Sequence, residues 1–216
     1  YKLKDLGYTR EITPRHSSVK EAVFPFARFP GSDVILSPEM KSTGEVMGMD
    51  MSSGLAYIKS QVAAGNTLPA KGNVFVSVRE EDKDAIIPLC RKLVEMGFTI
   101  YATRGTSSVL WQAGIKSQAI FKINQGHPNV VDLINDKNIG WIVNTPSTGA
   151  RPRADEVRMR YEAVIHGLPI TTTVAGFRAA VSGLDAIRAL ERMDVRTLQE
   201  YHRGSVKLRL PLAAKA

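Results

Sequence analysis

The chain has 216 residues, 44% of them hydrophobic and 23% charged, proportions that are ordinary for a globular protein. Its 29 Lys and Arg against 21 Asp and Glu give a formal net charge of +8, which favours anionic partners. No apolar run is long enough to span a membrane, and the single cysteine, Cys90, cannot form an internal disulfide. We therefore expect a cytoplasmic protein with no membrane partner and a buried, structural Cys90 thiol. The first residues lack both an initiator Met and a signal segment, so we expect the chain to begin within a longer protein.

The positive charge is spread along the chain rather than gathered into one block. The densest basic stretch, residues 151–160, also contains Asp155 and Glu156, and the sequence has no basic stripe with interleaved aromatic residues. Such stripes are typical of proteins that stack nucleic-acid bases. We therefore expect phosphorylated metabolites or an acidic protein surface as partners, and not nucleic acid.

Before residue 66 the sequence predicts a small α+β segment. Residues 17–26 have the pattern of a strand, and residues 51–64 have that of a helix. A stretch rich in Gly, Pro and small residues, 66–72, predicts a linker. Because so few elements make a poor independent core, we expect residues 1–65 to be the last part of a larger domain.

After residue 72, short β-branched runs alternate with longer helical patterns. The predicted strands are 73–78, 98–102, 119–121, 140–143 and 170–174, and the predicted helices are 81–96, 107–113, 128–134, 155–166 and 176–190. Pro88 indicates a late start or a kink in the first of these helices. The alternation predicts an α/β fold over residues 73–216, a Rossmann-like, doubly wound parallel sheet with helices on both faces.

Polar side chains follow the ends of four predicted strands, where ligands bind in sheets of this kind. They are Lys83, Thr103, Thr106, Lys122, Asn144 and Thr145. The turn 103–106 is either a plain helix cap or a phosphate site, because free N–H groups at a helix N-terminus attract anions. Each lysine alone is better explained as a solvated surface residue. Together, two ammonium groups, an amide and several hydroxyls at one sheet edge predict a site for a phosphomonoester dianion.

The sequence offers little for catalysis. Asp155 is either an acceptor for ribose hydroxyls or a first-turn acid of its helix, and both interpretations stay open. The four histidines are scattered, and no spacing is typical of a metal site, a catalytic triad or a Walker loop. We predict a site that binds without reacting, with no catalytic residue and no metal.

Six segments carry a resemblance to one family through their order and spacing. They are residues 38–48 (which begin Pro-Glu-Met-Lys-Ser-Thr-Gly-Glu), 76–83, 102–106, 142–145, 171–173 and 195–202. Over essentially its whole length the chain resembles the C-terminal end of the large chain of bacterial carbamoyl-phosphate synthetases. The resemblance implies that residues 1–65 are the remnant of an ATP-grasp domain, the carbamoyl-phosphate synthetic one. It implies a methylglyoxal-synthase-like allosteric domain over residues 73–216.

The resemblance also implies ligands for that allosteric domain, namely the nucleotides UMP and IMP, with ornithine at its border with the ATP-grasp half. The family's phosphate ligands match Lys83, Thr103, Thr106, Lys122 and Asn144, and its ribose-binding acid matches Asp155. A further hydroxyl ligand of the family falls at Pro146, so that either Thr145 or Ser147 supplies the hydroxyl instead or the phosphate has one hydrogen bond fewer. For ornithine, Glu21 and Thr172 match family positions, whereas Phe24 stands where an aliphatic residue is usual.

For the full enzyme, the resemblance implies ATP-dependent synthesis of carbamoyl phosphate for pyrimidine and arginine biosynthesis. The cofactors and partners implied are ATP, Mg²⁺, K⁺, a small glutaminase subunit, the rest of the large chain and further copies in a homo-oligomer. None of the family's nucleotide- and magnesium-binding carboxylates can be placed on this chain, so we expect it to be inert alone. The other ornithine carboxylates of the family lie upstream of Tyr1, which predicts weak ornithine binding.

Two alternatives remain at this point. A methylglyoxal synthase would be a lyase that acts on dihydroxyacetone phosphate, but the His-Asp pair of that family is replaced by Arg79 and Glu80. Its later Gly-Gly-Asp and Pro-His-Asp segments are missing as well. The other alternative is a free-standing nucleotide sensor or a nucleic-acid binder driven by the positive charge.

Overall fold

A computed structural model describes residues 1–11, 13–23, 44–146, 154–190 and 193–203. In its N-terminal part a 3-10 turn, Leu3–Leu6, precedes two antiparallel strands, β1 (Ser17–Ala22) and β2 (Glu45–Asp50). Helix α1 (Ser53–Ala63) packs against this pair. The Ser52 hydroxyl accepts a hydrogen bond from the Leu55 N–H and so marks where α1 begins.

The remainder is built on a five-stranded, fully parallel sheet with the order β5-β4-β3-β6-β7. The strands are β3 (Gly72–Ser77), β4 (Phe98–Thr103), β5 (Gln118–Ile120), β6 (Trp141–Asn144) and β7 (Ile170–Thr171). The helices are α2 (Lys83–Glu95), α3 (Arg104–Gln112), α4 (Val130–Asn135), α5 (Ala154–Ile165), α6 (Val174–Arg188) and α7 (Leu198–Tyr201), with 3-10 turns at Glu80–Asp82 and Ile123–Gln125. The predicted α/β fold with a parallel sheet is confirmed.

Both faces of the sheet are covered, as side chains alternate along each buried strand. On one face, Val74 and Val76 of β3 pack in a cluster with residues of α2, α3 and α6. On the other face, Phe75 of β3 and Ile142 of β6 pack with residues of α4 and α5. The sheet is therefore doubly wound, as the sequence predicts.

Several predicted boundaries differ from the structure by one residue or more, and three of the differences lie near the candidate sites. The helix predicted from residue 107 begins at Arg104, immediately after β4, so the Thr-x-Gly-Thr segment forms its N-cap and first turn. The strand predicted over 170–174 ends at Thr171, because the Thr173 hydroxyl accepts from the Gly176 N–H and caps α6. Helix α2 begins at Lys83 rather than at residue 81 and continues through Pro88, which lies on its exposed side.

The N-terminal part is joined to the sheet domain by a close helix crossing. Helices α1 and α6 approach at Gly54 and Gly183, where a Cβ at Gly183 would lie 2.5 Å from the Gly54 carbonyl oxygen. The same Cβ would lie 2.4 Å from Ile58 Cγ1. Only glycine fits there, so the absence of a side chain allows the two helices to pack backbone against backbone.

Cys90 lies on the buried side of α2 and is fully inaccessible. Burial raises the pKa of its thiol to about 12, so almost no thiolate is present at neutral pH. This confirms the prediction of a buried thiol.

We expect Gly183→Ala to lower the free energy of unfolding by about 1–3 kcal/mol, because the added methyl group forces α1 and α6 apart. Urea unfolding of the two proteins measures the difference. Ser182→Ala, which changes an exposed neighbour on the same helix, is the control and should be close to neutral. Equal stabilities of Gly183→Ala and the unmodified chain would show that the crossing is looser than described.

Candidate functional site

A cleft of about 860 Å³ opens at the carboxyl ends of the central strands. It lies between β3 and β6, where the strand order reverses. After β3 the chain adds β4 and β5 on one side of that strand, and it then crosses to add β6 and β7 on the other side. The cleft is lined by every residue predicted for a phosphate or a ribose. These are Lys83, Thr103, Thr106, Lys122, Asn144, Thr145 and Asp155.

The floor of the cleft is a cluster of hydroxyl groups at the ends of β3 and β4. Ser77 Oγ lies 3.2 Å from Thr103 Oγ1, which in turn donates to Thr106 Oγ1 over 3.4 Å. Thr106, almost fully buried, also accepts from the Val78 N–H at 3.4 Å. Sequence reasoning missed Ser77 as a site residue, although its position at the end of the first parallel strand was a usable signal.

The end of β6 is fixed to the end of β3. The Asn144 amide donates to the Ser77 carbonyl oxygen at 3.0 Å, and the Thr145 hydroxyl accepts from the Arg79 N–H at 3.0 Å. Both side chains are buried, and Asn144 Oδ1 has no hydrogen-bond partner among the described residues. A buried carbonyl oxygen without a partner is costly, so this atom offers an acceptor to a ligand that donates a hydrogen bond.

Lys83 brings a positive charge to the first turn of α3. Its ammonium group lies 2.5 Å from a carboxylate oxygen of Glu80, and a Cβ at Gly105 would lie only 3.3 Å from that Nζ atom. The backbone N–H groups at the start of α3 add a positive potential. Lys122, exposed at the end of β5, contributes a second ammonium group to the cleft lining.

Apolar side chains and an acid line the rest of the cleft. Its apolar lining includes Ile123, Val130 and Met159, while Asp155 lies in the first turn of α5. Beside the cleft, the Arg104 guanidinium stacks 4.3 Å above the ring of Phe121, a contact that no sequence pattern indicated. The cleft therefore has a polar, cationic end and an apolar region.

Helix α4, which carries Val130 into the cleft, begins with a reciprocal cap. Asn129 Oδ1 accepts from the Val131 N–H at 2.9 Å, while Asp132 accepts from the Asn129 N–H at 2.8 Å. His127 Nδ1 lies 2.6 Å from the same carboxylate. The Asn129 N–H and His127 together lower the pKa of Asp132.

The two residues predicted for ornithine lie at the border between the N-terminal part and the sheet domain. Burial raises the pKa of Glu21, and a hydrogen bond with Gln61 partly offsets that effect. Burial and then the charge of Glu21 raise the pKa of Tyr57, whose hydroxyl bonds to Thr171. The neighbouring Thr172 is exposed.

Some of the predicted positions lie outside the described residues. They are Phe24, residues 38–43 of the resemblance motif, and Ser147, which was a candidate to supply the hydroxyl that Pro146 lacks. In the ranges that are described, no group of three or more His, Cys, Asp or Glu is placed to hold a metal ion. Nor does any described helix combine the length and the apolarity needed to cross a membrane.

Comparison with known proteins defines the class of this domain. Residues 85–172, from within α2 to the residue after β7, match the family model of the MGS-like domain. The chain therefore carries an MGS-like domain. A solved methylglyoxal synthase from Elizabethkingia anophelis is 14% identical and matches 68% of this chain and 97% of its own, with a TM-score of 0.43.

Curated relatives show which larger proteins this chain resembles. The carbamoyl phosphate synthase large chain of Archaeoglobus fulgidus is 49% identical over 94% of this chain, and that of Myxococcus xanthus is 47% identical over 92%. The large chain of a Nostoc species is 44% identical over 92%. The resemblance to the C-terminal part of the carbamoyl phosphate synthase large chain is thereby confirmed. This chain spans only 18–19% of the length of these relatives.

We expect the cap of α4 to make stability depend on pH through Asp132. Folding lowers the pKa of this carboxyl group. Its contribution to the free energy of unfolding is therefore fully present above the pKa of an unfolded Asp and is lost as the pH falls through the pKa of the folded protein. Urea unfolding at pH 7 should show Asp132→Asn to be less stable than the unmodified chain, and this difference should shrink below about pH 4. Asp136→Asn, at the exposed other end of α4, is the control; a difference for Asp132→Asn that stays constant with pH would contradict the assignment.

Proposed function

We propose that this chain is the regulatory end of a carbamoyl phosphate synthase large chain and that its cleft binds a nucleoside monophosphate of the UMP or IMP kind. The observation that carries the proposal is the convergence of Lys83, the Thr103 and Thr106 hydroxyls and the start of α3 at one end of the cleft. These groups come from separate strand ends, and a phosphate dianion is the ligand that would use them together.

The electrostatics of the cationic end favour a phosphate over an uncharged ligand. Hydrogen bonds to charged groups contribute roughly 1.5–3 kcal/mol each, more than neutral ones do. Lys83 and Lys122 supply ammonium groups, and the Gly105 region supplies N–H donors at a helix N-terminus. A phosphomonoester carries about two negative charges at neutral pH and matches this set.

The rest of the cleft suits the nucleoside part. Asp155 lines the cleft and would accept hydrogen bonds from ribose hydroxyls, and Ile123 with Val130 would offer an apolar surface to a base. Pro146 has no hydroxyl or amide N–H to offer, whereas Thr145 retains a hydroxyl, already held by the Arg79 N–H. The choice between UMP and IMP therefore depends on the contacts of the base rather than on those of the phosphate.

The activity of the larger protein belongs to residues outside this chain in our proposal. Ligation that consumes ATP, the Mg²⁺ and K⁺ ions, the glutaminase subunit, homo-oligomer assembly and a cytoplasmic location are assigned to the full carbamoyl phosphate synthase. The chain itself is inert alone and contributes control of that synthesis, which serves pyrimidine and arginine production. Effector binding would be linked to distant substrate binding by about 1–3 kcal/mol, the range typical of allosteric coupling.

Part of an ornithine site is proposed at the border, on Glu21 and Thr172. A partly buried carboxylate whose pKa is raised by burial gains from pairing with the ammonium group of an amino acid. Glu21 interacts with Gln61 and Tyr57, and the Tyr57 hydroxyl bonds to Thr171, the residue before Thr172. The site thus joins the N-terminal part to strand β7.

Titration calorimetry with UMP, IMP and inorganic phosphate in phosphate-free buffer tests the nucleotide site. We expect at least one nucleotide to bind, and Lys83→Ala to weaken it by tenfold or more, since a charge-assisted bond of about 1.5 kcal/mol or more is removed. Lys116→Ala removes an exposed lysine outside the cleft and should leave the affinity unchanged. Binding that is equally strong in both variants would contradict the proposal, as would no binding by any of the three ligands.

Ornithine titration followed by NMR tests the border site. We expect weak binding, with a Kd on the order of millimolar, and chemical-shift changes at Thr172 and Gln61 that disappear in Glu21→Gln. Glu45→Gln is the matched control, since Glu45 is an exposed carboxylate on the paired strand. Ornithine binding that survives Glu21→Gln unchanged would contradict the assignment of Glu21.

A further inference from the structure

Lys83 and Glu80 form an ion pair whose two partners differ sharply in exposure. The Lys83 side chain is 14% exposed and lies inside the cleft, whereas the Glu80 side chain is 80% exposed. Their charged atoms are 2.5 Å apart, and Glu80 belongs to the 3-10 turn that immediately precedes α2. The carboxylate therefore reaches the cleft from the solvent side and is restrained by little except Lys83 itself.

The position of the Lys83 ammonium group explains why it holds an anion. It lies beside Gly105 in the first turn of α3, where the helix N-terminus is also positive. A largely buried ammonium group next to a second positive potential is unfavourable unless a negative charge accompanies it. In this structure the Glu80 carboxylate provides that negative charge. It therefore occupies the Lys83 ammonium group, which the proposed function pairs with the phosphate of the ligand.

We propose that Glu80 is a tethered counter-ion of Lys83 that a ligand anion must displace, and that it thereby lowers the affinity of the cleft for anions. This inference rests on the proposed function and adds to it a residue that sets the affinity of the phosphate site. A tethered carboxylate has the advantage of being attached, so it competes with every anion that approaches Lys83. A phosphomonoester brings about two charges and several acceptor oxygens, so it gains enough other contacts in the cleft to bind despite this competition.

Release of Glu80 costs little in the folded protein. It is largely exposed, so its carboxylate returns to water at little cost, and the ligand anion takes its place beside the largely buried Lys83. The pair thus subtracts only a modest amount from the affinity of the cleft for phosphate. A purely structural pair would behave in the opposite way, because its removal would loosen the turn and weaken ligand binding.

Glu81 provides a closely matched control. It is the next residue, lies in the same 3-10 turn and lines the same cleft, so its neutralisation changes the net charge equally. Its carboxylate approaches Arg79 at 3.8 Å rather than Lys83. Any difference between Glu80→Gln and Glu81→Gln therefore reports the contact with Lys83 rather than the general electrostatic field.

The experiment measures the affinity of the 216-residue chain for inorganic phosphate, by calorimetry at constant ionic strength, with chloride and acetate as competitors. We expect Glu80→Gln to bind phosphate about three- to fivefold more tightly than the unmodified chain, because the competing carboxylate is removed. Chloride and acetate should gain affinity by a similar factor, because each of them must displace the same carboxylate. Glu81→Gln should change the phosphate affinity by less than about twofold.

The outcomes separate this inference from the proposed function. Phosphate binding that depends on Lys83 but is no tighter in Glu80→Gln than in Glu81→Gln would overturn the role of Glu80 and leave the phosphate site in place. Phosphate binding that is insensitive to Lys83→Ala, or absent from every variant, would overturn both. A variant that unfolds cannot imitate the expected result, because the expected result is a gain in affinity.

Discussion

The whole site depends on one topological constraint, the reversal of strand order between β3 and β6. Strands β3 and β6 are parallel neighbours, but the chain continues from β3 to β4 on one side and from β6 to β7 on the other. The two segments that follow these strands therefore separate, and a cleft opens between them. Asn144 spans this gap by donating to the Ser77 carbonyl oxygen, and Thr145 does so by accepting from the Arg79 N–H. These two hydrogen bonds keep the strand ends together while the side chains beyond them line a cavity.

The same strands also connect the cleft to the N-terminal part. Trp141, at the start of β6, donates from its indole nitrogen to the Thr171 hydroxyl at 3.0 Å. Thr171 also bonds to the Tyr57 hydroxyl on α1, which lies near Glu21. Together with the glycine crossing of α1 and α6, these contacts join the cleft and the border into one packed structure. The regulation that we propose would use this continuity, because packed contacts can carry energetic coupling between distant sites.

The sequence predicted the positions that depend on strand ends. In a parallel sheet, β-branched runs indicate the strands, and the polar residues after each run lie at one edge of the sheet. The structure brings Lys83, Thr103 and Asn144 together around one cleft, as this pattern leads us to expect. The sequence predicted the start of α3 three residues too late, at residue 107, because Arg104 and Gly105 resemble loop residues. In the structure Thr103 is the N-cap, so the helix begins directly after β4 at Arg104. The Thr171–Thr173 run resembles a strand by propensity, and only the capping bond of Thr173 shows that it ends early.

Other features of the site could not have been predicted from the sequence, because they are contacts across the fold. The stacking of Arg104 on Phe121 joins α3 to the end of β5, and the hydroxyl contact of Ser77 with Thr103 joins two strands. Lys83 and Glu80 are three residues apart, a spacing at which ion pairs are common on helix surfaces. Only the structure shows that the Lys83 ammonium group also lies beside Gly105, at the start of α3. Such contacts depend on tertiary distance and burial, on which a local sequence pattern carries little information.

The most direct test of the account is an amide NMR titration of the chain with UMP. If the phosphate binds at the strand ends, the largest shifts should fall on the amides of Val78, Gly105 and Thr106, which surround the hydroxyl cluster and the Lys83 ammonium group. The amides of α1 and of the β1–β2 pair should move much less. Shifts that concentrate on those N-terminal elements, or a spectrum that UMP leaves unchanged at millimolar concentration, would contradict the assignment of this cleft as the nucleotide site.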